Sequence, residues 1–221
     1  MFCALQFHMP NHFLSFLVLE ILLLPVFTWS AQKSEPRCDY LPSSMERAVL
    51  DELNLARQDP AAYAFHLEDL ETSYEGVNRR LATHHYLTTK EGLPAVQEAV
   101  EALKRTASRA PLTWDPCLSL SAADHVRDTG PSGITGHESS KGESFLKRVT
   151  RYLPRYKMIG ENIDYGTTEA RGVVVELIID DGVPDRGHRH NIFEPRFNHV
   201  GIACGDHATF GSQCVIDFAR E

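Results

Sequence analysis

No lysine or arginine stands ahead of Lys33, so the usual positive start of a secretory leader is missing. Bases are scarce overall: 22 Lys and Arg face 30 Asp and Glu, for a formal charge of −8. That deficit argues against a duplex nucleic-acid binder, whose affinity comes from cations set against phosphates. There is no Cys-x-x-Cys, which argues against a zinc finger. There is no G-x-S-x-G elbow to present a serine nucleophile. Glycine-rich phosphate loops, internal repeats and heptad runs are also absent.

What is present begins with Phe13 to Trp29, FLSFLVLEILLLPVFTW, an apolar run broken by Ser15, Glu20 and Thr28. Thr28 and Ser30 are small residues placed for a cut after Ser30. Residues 1–30 are read as a signal peptide, or as a membrane anchor if uncleaved. The protein is then secreted or otherwise extracytoplasmic. Residues 31–44 form a loose segment, and residues 45–219 are long enough for one domain with a core.

Cys3 lies in the leader, leaving Cys38, Cys117, Cys204 and Cys214, an even number suited to disulfides outside the cytoplasm. Two alternating runs, NHVGIACG and QCVIDFA, flank the turn GDHATFG. Val200, Ile202 and Cys204 share one face, as do Cys214, Ile216 and Phe218. A hairpin sets Cys204 opposite Cys214, which leaves Cys38 with Cys117.

Ser43 with Glu46 forms a capping box before a helix carrying Val49, Leu50 and Leu53. Asp59-Pro60 ends that helix and starts another, and Asp115-Pro116 starts a helix over about 116–128. Pro94 to Lys104 is helical, and a short helix carries Phe145, Val149, Tyr152 and Leu153. MIGENIDYG is a strand, and TTEARGVVVELIIDD is a helix capped by Thr168. Residues 72–92 lack a period and read as a long connection. The order gives an α+β domain, with helices around a small sheet.

Candidate chemistry gathers at His137 in a glycine-flanked loop, Glu161 in an apolar strand, Asp180 and Asp181 at a helix end, and His188 after a glycine. Acids at a helix C-terminus oppose its dipole, and an acid in an apolar strand needs a partner. Such conflicts gather at functional sites. The alternative is that Arg186 or Arg189 pairs with the aspartates and pins the loop. His125 reads as a satisfied core histidine, and His84, His85 and His190 as surface residues. The run Lys147, Arg148, Arg151, Arg155 and Lys157 reads as a solvated helix face, or as a contact for anionic head groups.

GHESS, GENIDYG, GHRHNIF and the closing CVIDFA, in this order, resemble the CAP superfamily. These are the cysteine-rich secretory, antigen 5 and pathogenesis-related-1 proteins, or SCP domains. The GHR-x-N-I pattern is similar to the bacterial branch. The resemblance implies an α-β-α sandwich with a small, mostly antiparallel sheet between helices. It also implies a cleft of two histidines and two acids, here His137, Glu161, His188 and Asp180, with Asp181 as the alternative to Asp180.

Two imidazoles with two carboxylates suit a divalent cation such as zinc, with His137 and His188 as its ligands. They equally suit metal-free acid–base work. Three functions follow: a cation-binding cleft beside a lipid or peptide groove, a metal-assisted hydrolase of peptides or cell-envelope material, or a non-catalytic structural and interaction module.

Overall fold

The structure is a computed structural model, and it describes residues 38–81 and 86–220. The leader, most of the loose segment, and His84 and His85 lie outside the described residues.

Helix α1 (Ser44–Gln58) opens with the expected box: Ser43 caps Glu46, and the Glu46 carboxylate returns to the Ser43 N–H at 2.7 Å. Asp59 caps α2 (Pro60–Tyr63), and α3 (Phe65–Glu71) follows. The stretch read as a long connection instead folds into three short antiparallel strands. These are β1 (Tyr74–Glu75), β2 (Asn78–Arg80) and β3 (Tyr86–Thr88). Strands this short cannot show an alternating pattern. Gly92 closes this unit at φ +73, where a Cβ would lie 2.5 Å from the Gly76 carbonyl oxygen.

Next come α4 (Leu93–Arg105), β4 (Thr113–Trp114), α5 (Pro116–Thr129), α6 (Phe145–Thr150) and β5 (Met158–Tyr165). The chain ends with α7 (Ala170–Ile179), α8 (Gly187–Phe193), β6 (His199–His207) and β7 (Gly211–Arg220). Asp115 caps α5 as expected. Thr168 does not cap α7. Glu169 holds that position with no side-chain bond, and packing replaces the cap: six α7 residues are buried.

The main sheet has the order β4-β6-β7-β5, with β4 parallel to β6 and the other pairs antiparallel. One face carries Val200, Ile202, Cys214, Ile216 and Phe218 into the large core under α1, α4 and α7. The other carries Ala203, Val215 and Ile163 against Ala122 and Ala123 of α5. This is the expected sandwich. Gly201 allows the second layer to close, because a Cβ there would fall 2.1 Å from the Ser119 nitrogen in α5.

Both expected disulfides form, Cys38–Cys117 and Cys204–Cys214, the latter between residues directly opposite in the hairpin.

β5 is an edge strand. Gly166 donates to the Ser212 carbonyl at 2.9 Å, and Tyr165 stands opposite Gln213. Even-numbered β5 residues therefore bond to β7, and odd-numbered ones turn their N–H and C=O groups outward. Side chains alternate too. Glu161, Ile163 and Tyr165 face the α5 layer, and Asn162 and Asp164 face the α7–α8 layer.

Candidate functional site

Glu161 is an acid on an otherwise apolar strand, and its partners explain how it stays there. Its Oε1 meets His137 Nδ1 at 2.8 Å, and its Oε2 pairs with the Arg148 guanidinium. Arg148 and Glu161 side chains are each 2% exposed. Arg148 also donates to His125 Nδ1 at 2.8 Å and to the His137 carbonyl at 3.3 Å. The His125 Nε2–H then donates to the Gly136 carbonyl at 2.9 Å, which fixes a neutral tautomer. Burial, and then Arg148, lower the His125 pKa and agree with that state. His125 is thus a satisfied core histidine, and it holds the loop that carries His137.

Asp217 faces Glu161 across β5 and β7, fully buried. Burial and then the Glu161 charge push its pKa well above the carboxylate range. Arg148 and Ser121 pull the other way and are outweighed. Asp217 is therefore the protonated member, able to donate to Glu161. Burial also opposes ionisation of Glu161, but His137 and Arg148 outweigh it and hold its pKa below the usual value.

The second acid–histidine pair stands at the α7–α8 joint. Asp180 ends α7 in the left-handed conformation, φ 57. Its carboxylate accepts from the His188 N–H at 2.9 Å and meets His188 Nδ1 at 2.6 Å. One acid thus sits badly at the end of α7 and well in the first turn of α8. Asp181 turns away and accepts from the Lys90 and Glu91 N–H groups.

Neither arginine takes an aspartate carboxylate. Arg186 pairs with Glu91 and Glu98, and Arg189 with Glu98. These contacts tie α8 to α4. Arg57, fully buried, donates to the Ile192, Glu194 and Phe197 carbonyls and anchors the far end of α8. Burial, then Arg109, lower its pKa to about 10.

The two pairs lie on opposite faces of β5, joined by asparagines. Asn162 donates to the His188 carbonyl at 2.9 Å, and Asn191 donates to Asn162 Oδ1 at 2.9 Å and to the Glu161 carbonyl at 3.3 Å. The acids are sealed and the imidazoles reach solvent: His137 is 53% exposed and His188 24%. Each carboxylate holds Nδ1 and leaves Nε2 outward, with no partner among the described residues.

A carboxylate behind an imidazole is a common outer-shell arrangement for a metal ligand. Here both acids are engaged with a histidine Nδ1. No group of three or more His, Cys, Asp or Glu is placed to hold an ion among the described residues.

Sequence reasoning missed Arg148, Asp217, Asn162 and Asn191. Arg148 belongs to the basic run, but its burial removes it from any head-group contact. Arg151 pairs with Glu143 and Asp124, and Lys147 with Glu143. His190 is exposed, as expected.

Asp164, 5% exposed, is raised by burial from 3.8 to about 7. The folded state holds this proton between those two values and the unfolded chain does not. Stability therefore falls as pH rises through that window. Asp164→Asn is expected to gain more thermal stability over wild type at mildly alkaline pH than at mildly acidic pH. An equal difference at both would show that the carboxyl is not held neutral.

The pattern of the cysteine-rich secretory protein family, CAP, matches residues 50–218. The chain belongs to this family. The Bacillus subtilis (strain 168) protein YkwD is 27% identical to it over 121 residues, 55% of this chain and 45% of that protein. The CAP chain thus spans less than half the length of this curated relative. Among solved structures, an extracellular protein containing an SCP domain from Bacillus anthracis (str. Ames) is 19% identical, with a TM-score of 0.43 over 58% of this chain and 38% of that one. An outer surface protein from Borrelia burgdorferi is 17% identical, with a TM-score of 0.44 over 51% of this chain and 80% of that one. Among the described residues of the CAP chain, no helix is long and apolar enough to cross a membrane.

Proposed function

We propose that this chain is an exported CAP-domain binding protein. Its His137–Glu161 and Asp180–His188 pairs form a cleft for a divalent cation such as zinc, with a polar ligand beside it. The observation that carries this reading is the shared geometry of the pairs. In each, a buried acid holds Nδ1 and leaves Nε2 facing out. The two disulfides support the extracytoplasmic part, since such bonds persist where the surroundings are oxidising.

Hydrolysis is the weaker reading. Two oriented imidazoles suit proton transfer, but the nearby nucleophile candidates are engaged. Ser139 Oγ accepts from the Lys141 and Glu143 N–H groups, Ser140 Oγ donates to Asp128, and the four domain cysteines are in disulfides.

Zinc titrated calorimetrically into the disulfide-bonded chain should bind in the micromolar range, and His137→Ala/His188→Ala should abolish binding. Absence of binding, or binding that survives the double variant, would remove the cation from the proposal.

A further inference from the structure

The outward edge of β5 passes between the two histidines, and its backbone is only partly matched. Of the odd-numbered residues, Glu161 has its carbonyl taken by Asn191 at 3.3 Å. By the same parity the N–H and C=O groups of Ile163 and Tyr165 point away from β7, with Ile163 6% exposed and Tyr165 half-buried at the end of the strand. Such groups recur every second residue, about 7 Å apart, and are a template for another strand.

A second observation lies at the end of the same edge. Tyr165 packs against Phe210, ring centroids 5.6 Å apart, and His207 meets Tyr165 edge-on and Phe210 at a tilt. Phe210 is 50% exposed and Ile134 40%. The Tyr165 hydroxyl accepts from the Gly136 N–H at 3.0 Å, one residue before His137. An apolar ledge thus begins about 13 Å along the strand from Glu161, on the His137 face.

The geometry points to an extended peptide as the occupant of the cleft. It adds as a strand outside β5 and sets an aromatic or large aliphatic side chain on the ledge of Tyr165, Phe210 and Ile134. This occupant presupposes that the two pairs form the proposed ligand cleft. An acyl chain carries no N–H or C=O at the required repeat, whereas an extended peptide carries both. Its side chains alternate between the two faces of the sheet, so its backbone runs between His137 and His188.

The test uses the full disulfide-bonded chain and a fluorescein-labelled octapeptide of alternating threonine and valine with one central phenylalanine. Binding is read by fluorescence anisotropy. N-methylation of the central amides, which keeps every side chain, should weaken binding by about tenfold or more. Phe210→Ser should weaken the parent peptide yet leave a version with threonine for phenylalanine unaffected, a coupling that reports direct contact.

Equal binding of the N-methylated peptide overturns the strand. Absence of binding to the parent peptide, with zinc binding intact, overturns the peptide and leaves the cleft. Peptide binding without zinc binding supports the strand while removing the cation. A dimer that dissociates in Phe210→Ser would overturn the peptide in favour of a second copy of this chain.

Discussion

Arg148→Met lowers the stability of the domain by about 3–5 kcal/mol, because it leaves one half of a buried ion pair behind. In a domain of this size the thermal midpoint falls by roughly 10 °C. Methionine keeps most of the length of the arginine stem, so the loss is mainly one of charge and hydrogen bonds. Three groups lose a donor together: the Glu161 carboxylate, His125 Nδ1 and the His137 carbonyl.

Glu161 then sits beside neutral Asp217 with no buried cation. In the wild type its lowered pKa contributes stability above the usual glutamate titration, and that contribution fades on acidification. In the variant, burial favours its protonated form, so the gap between the two proteins narrows towards mildly acidic pH. Arg148→Met/Glu161→Gln should lose distinctly less than Arg148→Met alone. Circular-dichroism melts of the three proteins check this. A cost under about 1 kcal/mol for the single change, as for a surface pair, would contradict the buried network.

Cys38→Ser/Cys117→Ser is the second large effect, about 4.5 kcal/mol from the entropy of the released chain, with the cysteines 79 positions apart in sequence. The equivalent change at Cys204 and Cys214, 10 residues apart, costs about 3 kcal/mol on the same basis. The long-range bond also fixes the segment before α1. There the Tyr40 hydroxyl donates to Glu46 at 2.8 Å, and the Tyr40 ring stacks on Trp114. Denaturant titrations of the two double variants should rank in that order. A reversed ranking would mean that the unfolded chain is already compact around Cys38 and Cys117.

The parts of this fold legible in the sequence are those governed by local chemistry. Ser43, Asp59 and Asp115 cap the helices they were expected to cap, because a side-chain oxygen before a helical run acts within three residues. The hairpin and its disulfide follow from alternation, which the register repeats residue for residue from Val200 opposite Phe218 to Cys204 opposite Cys214. Thr168 fails as a cap because tertiary burial of α7 overrides the local signal.

The site was legible in its parts but not in its pairings. His137, Glu161, Asp180 and His188 stand out as ionisable groups in places that disfavour them. Nothing in the sequence says that each acid takes one histidine, or that the pairs lie on opposite faces of β5. Asp217 was hidden because alternation assigned the buried face to Cys214, Ile216 and Phe218, whereas helices cover both faces here. Arg148 was hidden among neighbouring cations, although it is three residues from Phe145 and next to Val149, on the inward side of a short helix. The α8 helix carries polar residues and no side-chain cap, and tethers to α4 and α1 hold it in place.

The proton on Asp217 is enclosed between α5 and the sheet at a residue with no exposed surface. In heavy water it cannot be replaced through the surface motions that refresh His137 or His188. Its exchange waits for the α5 layer to lift from the strands, among the slowest openings a domain undergoes. An infrared band of a protonated carboxyl that shifts only over that long interval would make Asp217 a natural clock for the opening of the fold.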